Sequence, residues 1–241
     1  MGGQIKGDLS MIRFLSSVRS AVVASASALV LLSAAASAED EVGQVTKVAN
    51  FAYQTPQGSS KSAAYERDPV FHDAEVEAVP DGAAELTFLD GSKLTVGPGS
   101  SVVIDDFVYD PSANVGSAAL RLTKGMLRYV SGSMPDDKVK LETDTVTIGI
   151  RGTTVKAGIL PDGLTVVSCV QGICTVTSKQ TGQTVELPGS HFVKVDGQGN
   201  VNPVQFGVWE FGEKTIDEGI LPFNNGGPGN DISEPAPQDS D

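Results

Sequence analysis

From residue 70 to residue 195 the chain repeats one pattern, in which a short run of alternating apolar and polar side chains is followed by a glycine-centred turn. The runs 70–71, 74–79, 84–88, 94–96 and 102–109 are separated by Asp81 and Gly82, by Asp90 and Gly91, and by Gly97, Pro98 and Gly99. Further alternations follow at 119–122, 126–130, 146–155, 164–170, 173–178, 184–187 and 192–195. Period two with β-branched residues is the signature of strands, and no ten-residue stretch carries the 3.6-residue period of a helix. Many short strands with glycine-rich turns imply an all-β sandwich, barrel or roll. Residues 39–53 carry apolar side chains at Val42, Val45, Val48 and Phe51. Gly43 and Thr46 make this a poor helix, and it reads as a strand with a bulge.

Register can be checked at Asp90 and Gly91. A two-residue loop would set Leu94 opposite Thr87 and mix the two faces. A three-residue loop places Leu86 and Phe88 on the same face as Leu94 and Val96, which predicts Gly91 in the left-handed conformation.

The stretch 141–156, LETDTVTIGIRGTTVK, stands out within this pattern. Val146, Ile148 and Ile150 alternate, and Gly149, Arg151, Gly152 and Thr153 interrupt them. Glycine inside a strand marks a bulge or a close backbone approach. This predicts two strands bent at the glycines, with Gly149→Val misfolding through lost backbone approach. Arg151 either presents its guanidinium to a carboxylate of a ligand or partner, or ties Asp144 or another acid to the bend; bracing of the turn is the favoured role.

Cys169 and Cys174 lie in SCVQGICT. A two-residue turn at Gln171 and Gly172 would pair Val170 with Ile173, set Cys169 against Cys174 and place Val167 opposite Val176. Such a non-hydrogen-bonded pair brings the Cα atoms to disulfide range. The spacing is not that of a redox or zinc motif, so the pair reads as structural.

The N-terminus reads as an address. Arg13 and Arg19 precede the apolar run 21–32, and Ala36, Ser37 and Ala38 supply a small-residue cleavage site, as in a secretory signal peptide over 1–38. The apolar run is too short for a comfortable membrane span. Cleavage would remove three basic side chains and one acidic one, shifting the net charge from −13 to −15. Such a surface repels phosphate backbones and anionic lipid, which argues against nucleic-acid or membrane partners. The expected organisation is a signal peptide at 1–38, one all-β domain at 39–200 and a Pro- and Gly-rich acidic tail at 201–241. Most of that tail reads as disordered, with Phe206, Trp209 and Phe211 as candidate anchors for its start.

Residues that could do chemistry are few. His72 and His191 are far apart, and no nucleophile elbow, phosphate loop, dinucleotide fingerprint or paired-histidine metal motif occurs. Asp105 and Asp106 would point to opposite faces of a strand and cannot act as a pair. Gly226 to Asp231 fit half of one calcium β-roll repeat, but such repeats act in stacks. The reading is of a non-enzyme with no catalytic, cofactor-binding or metal site.

Taken together, the ordered pieces resemble the FecR domain family. They are FLDGS at 88–92 with LTVGP at 94–98 and Ser100, DFVYDP at 106–111, the segment 120–129 around Lys124 and Gly125, and VTIGIRGT at 146–153. The resemblance covers roughly 75–156 and continues plausibly through 195. It implies an all-β FecR-like sandwich or roll, exported from a Gram-negative type of bacterial cell. The regulator that names the family carries a cytoplasmic anti-sigma segment and a transmembrane helix, and its periplasmic part hears a TonB-dependent receptor. Here a cleavable signal is expected in their place, as in stand-alone exported members. The implied activity is binding of another envelope protein, as a sensor or interaction module, through the β surface or the bend at Gly149, Arg151, Gly152 and Thr153. A carbohydrate-binding or adhesive surface domain is the alternative, and a relay for iron uptake is the third reading.

Overall fold

The computed structural model describes residues 40–209 and the isolated Gly2. The expected signal peptide, Gly2 apart, and the tail beyond Trp209 lie outside the described residues. In chain order the strands are β1 (Glu41–Ala49), β2 (Ala52–Thr55), β3 (Ser62–Ala63), β4 (Pro69–Phe71), β5 (Glu75–Ala78), β6 (Ala83–Phe88), β7 (Lys93–Val96) and β8 (Ser101–Asp110). They continue with β9 (Val115–Lys124), β10 (Met126–Val130), β11 (Val139–Glu142), β12 (Val146–Ile159), β13 (Thr165–Ser178), β14 (Thr184–Pro188), β15 (His191–Val195) and β16 (Gln205–Phe206). One 3-10 turn, Asp136–Lys138, precedes β11, and the described residues contain no α-helix. The all-β expectation holds.

Local signals translate directly at several places. β6 and β7 pair Leu86 with Leu94 and Thr87 with Lys93, the Phe88 amide donates to the Ser92 carbonyl, and Gly91 has φ +79°. This is the three-residue loop that the facing of the side chains requires. Asp90 completes it as an Asx turn, its carboxylate accepting from the Ser92 amide at 2.9 Å and the Ser92 hydroxyl at 2.5 Å. β1 is bulged between Val45 and Lys47, as the broken alternation of residues 39–53 suggests.

The architecture turns on β12 and β13, which pair antiparallel along their whole length around the turn at Pro161, Asp162 and Gly163. On the far side of β12 its two halves take different neighbours. Residues 147–149 pair with β11, and residues 154–158 pair with β10. On the far side of β13 the split recurs, with residues 173–177 against β14 and residues 165–169 against β15. Two wings result. One continues through β11, β9, β8, β5, β2 and β3, and the other through β10, β7, β6, β1 and β4. The β11–β9 pairing is parallel, whereas the other strand pairs are antiparallel.

A single apolar core takes side chains from both wings, among them Leu86 and Leu94 from one and Ile104, Leu120, Leu122 and Leu141 from the other. Phe88 of β6 stacks on Phe107 of β8 with ring centroids 4.7 Å apart, joining the wings across the interior. Each such fully buried side chain contributes about 1.5–3 kcal/mol through area removed from water. Tyr129 is wholly buried within this core, and burial pushes its phenol well above the usual tyrosine range. A second, small cluster of Met126, Val166, Phe192 and Trp209 covers the far end of β15. The Trp209 amide donates to Ser168 Oγ at 3.0 Å, and Lys194 Nζ lies 4.2 Å from the centre of the indole ring. Trp209 is therefore a packing anchor. Phe206 is 82% exposed and meets the edge of His191; Phe211 lies outside the described residues.

The cysteine hairpin is corrected. Gln171 and Gly172 do not reverse the chain, because Cys169 pairs with Val155 and Cys174 with Ile150, both on β12. The register slips twice, between Arg151 and Thr154 and between Thr154 and Val155. Residues 170–172 are thrown out of line there as a bulge rather than a turn. An extended strand would separate the two Cα atoms by about 16 Å. They lie 5.9 Å apart, at disulfide distance and wholly buried. The cysteines meet as expected, by a different route.

Candidate functional site

The slipped register builds a corner between the two central strands, β12 and β13, and the turn that joins β14 to β15 packs beside it. Gly152 has φ +58° and Gly172 φ +81°, a left-handed conformation that costs other residues about 1–2 kcal/mol. A Cβ on Gly172 would run into the Gly152 carbonyl and lie 2.8 Å from the Arg151 carbonyl. In the turn between β14 and β15, a Cβ on Gly189 would come 3.3 Å from the Gln171 Cα. Thr153 locks this corner. Its buried hydroxyl donates to the Gln171 carbonyl and lies 3.5 Å and 3.6 Å from the two cysteine sulfurs. Its amide donates to Ser131 Oγ at 3.1 Å, and its carbonyl accepts from the Ser131 amide at 3.0 Å. Thr153 and Gly152 thus hold the backbone; the Thr153 side chain is buried, whereas Gly152 lies at the surface.

Two residues away the same strand lines something different. On the outer face of β11–β14, a groove of about 500 Å³ is bordered by Asp137, Val139, Lys140, Thr147, Gly149, Arg151, Ile173, Thr175, Thr177 and Glu186. Alternation explains its composition. Val146, Ile148, Ile150, Cys174, Val176 and Leu187 point inward and are buried, so residues 147, 149 and 151 of β12 and residues 173, 175 and 177 of β13 face out. Register then sets the rows. Lys140, Gly149, Thr175 and Glu186 are successive cross-strand partners, as are Arg151, Ile173 and Pro188. Gly149 leaves a gap in the first row, and the groove lies over it.

Gly149 is therefore not a site of forced backbone approach. A Cβ there would meet Thr175 Cβ at 3.8 Å, an ordinary contact, and its φ is not left-handed. The expectation that Gly149→Val misfolds loses its basis; the left-handed backbone lies at Gly152 and Gly172, and the close backbone approach at Gly172. Arg151 does not brace the bend either. It is exposed, and among the described residues its guanidinium has no ion-pair or hydrogen-bond partner; Asp144 is not joined to it. Lys140, the diagonal neighbour of Arg151 across the Gly149 gap, is also exposed and without a partner among the described side chains. Three other charged pairs nearby are tied. Lys179 pairs with Glu142 at 2.5 Å, and Arg121 grips Asp105 through Nε at 2.8 Å. Lys138 lies 2.9 Å from Asp137 and holds that carboxyl below the usual range.

The candidate site residues thus separate into two groups. Gly149 and Arg151 line the groove, while Gly152, Thr153, Cys169 and Cys174 make the corner. Lys140, Thr147, Ile173, Thr175, Thr177 and Glu186 escaped the sequence reading. Their only signal is outward parity on strands whose adjacency the sequence does not reveal.

Elsewhere, His72 lies between Asp73 at 3.0 Å and Asp106 at 3.6 Å. The Ser117 hydroxyl donates to Asp106 at 2.7 Å, not to the imidazole. His191 Nδ1 lies 3.0 Å from the Gly189 carbonyl. Among the described residues no group of three His, Cys, Asp or Glu side chains is placed to hold a metal ion.

The described residues thus form a curled all-β sheet hinged on one long hairpin, with a groove on its outer face. Residues 74–174 match the family model FecR protein, a span that runs from the residue before β5 to Cys174 and includes the corner. Over this span the chain is similar to the FecR family. Two crystal structures of a candidate anti-sigma factor from Parabacteroides distasonis ATCC 8503 are similar to the chain at 14% identity, with TM-scores of 0.45 and 0.44. Each similarity covers 56% of this chain and 60% of the other, so the chain spans about three fifths of those proteins. No curated protein sequence matches the chain.

Proposed function

We propose that the protein is an exported, non-enzymatic FecR-domain module that binds another protein in the bacterial envelope, in the periplasm or outside the cell. In this reading residues 1–38 are a cleaved signal peptide, 39–200 the domain and 201–241 an acidic tail. The observation that carries it is the groove on the outer face of β11–β14, which begins within the FecR-matched span, continues into β13 and β14, and is lined by two exposed cations, Arg151 and Lys140, with no partner among the described side chains. The strongly acidic chain makes nucleic acid and anionic lipid poor partners.

The test is cross-linking in the native envelope followed by mass spectrometry of what co-purifies. A protein partner cross-linked through residues near the groove is the expected result. If that partner were a TonB-dependent receptor or an anti-sigma protein, the role would narrow to signalling. Recovery of polysaccharide instead would move the assignment to an adhesive domain, which the hydroxyls of Thr147, Thr175 and Thr177 would suit. Recovery of nothing would defeat the proposal.

A further inference from the structure

We infer that the groove takes an extended peptide segment that carries a carboxylate side chain and, about four residues away, a basic one. This rests on the protein-binding reading above and names the chemistry of its site. The cationic end is built by Lys140 and Arg151. They flank Gly149 from adjacent strands, as diagonal neighbours about 7–8 Å apart at the backbone. A guanidinium and an ammonium converging over an empty position suit one carboxylate, which the guanidinium can grip through two parallel hydrogen bonds.

The opposite end is acidic. Glu186 stands in the same row as Lys140, three strand spacings away across Gly149 and Thr175, or about 14 Å. Asp137, three residues before Lys140, lines the groove on the β11 side and is already engaged by Lys138. An extended chain rises about 3.3 Å per residue, so an acidic and a basic side chain four positions apart match that separation. Between the ends, Ile173 and the side chains of Thr147, Thr175 and Thr177 give an apolar patch with hydroxyls able to meet backbone amides and carbonyls. A volume of about 500 Å³ is of the size that holds a short segment.

Charge decides between peptide and polyanion. An acidic polysaccharide or a nucleic acid brings negative charge along its whole length and would meet Glu186 and the strongly negative remainder of the molecule. Side chains of both signs at a fixed spacing are a property of peptides.

Two phage-displayed peptide libraries test the inference against the protein purified from its own cells. One fixes Glu and Lys four positions apart, and the other fixes Gln at both positions. At least tenfold greater enrichment from the first library is expected. That preference should vanish on Arg151→Gln and on Gly149→Val, whose side chain fills the gap. On Glu186→Gln the requirement for Lys should relax while that for Glu persists. Unchanged melting temperatures would show that the variants are folded. Equal enrichment from both libraries, enrichment that survives Arg151→Gln and Gly149→Val, or no enrichment at all would overturn the inference. Displacement of the selected peptides by an oligomer of glucuronate would reassign the groove to acidic glycans. Failure of this inference is distinguishable from failure of the broader reading. A partner captured equally by wild type and Arg151→Gln leaves the module standing with its seat elsewhere, whereas capture of no partner defeats the module itself.

Discussion

At Gly172 an added Cβ would strike the backbone of Gly152 and stand 2.8 Å from the Arg151 carbonyl, while at Gly149 it would find an ordinary contact 3.8 Å away. The two glycines lie on adjacent strands of one hairpin, within the same family-matched segment. At the corner the missing side chain is a steric and conformational necessity, because β13 must pass close to β12 in a left-handed conformation. In the groove it is open space, and the backbone there is ordinary strand. Glycine therefore marks structure in one region and access in the other. The molecule separates them by a few residues of one hairpin.

Substitutions can break that contrast. The largest effect is expected at Gly172→Ala, which combines left-handed strain with backbone overlap and should cost about 3 kcal/mol. For a domain of this size that lowers the melting temperature by roughly 6–12 °C, measurable by calorimetry. A variant that melts with wild type would remove the corner from the argument. Thr153→Val comes next. It keeps the shape but leaves the Gln171 carbonyl without its buried donor, at about 1–2 kcal/mol, read from denaturant midpoints at constant m. The smallest effect belongs to Gly149→Val, where a β-branched residue enters the face of a strand. Its stability should stay within about 0.5 kcal/mol of wild type. A loss comparable with that of Gly172→Ala would show that the groove floor is structural after all.

The same contrast explains what could be read from the sequence. The Asp90–Gly91 hairpin was legible because both strands are contiguous and the facing of Leu86, Phe88, Leu94 and Val96 admits one loop length. Around Gln171 and Gly172 a two-residue turn and an outward bulge satisfy the same facing test. Both also use a glycine at positive φ and bring Cys169 to Cys174. Local pattern cannot choose between them; the decision comes from β12, whose two halves pair with the two halves of β13. The groove was legible only in part, through Gly149 and Arg151. Lys140 and Glu186 join them because β11 inserts between β9 and β12 in a mixed sheet, and β14 continues the row on the other side. No spacing along the chain reports that adjacency.

The position of β12 and β13 in the chain also bears on how the molecule is made. Both wings need this hairpin as their common seam, and it begins only at Val146. A chain that emerges amino end first therefore delivers eleven strands of two separate half-sheets before the seam exists. The last two of these, β10 and β11, then find their places against β12. The hairpin closes locally around residues 160–164 and is quick to zip once it is out. Assembly is thereby deferred until most of the domain has appeared, and a ribosome or secretion channel that stalled before Ser178 would leave long strand edges uncovered.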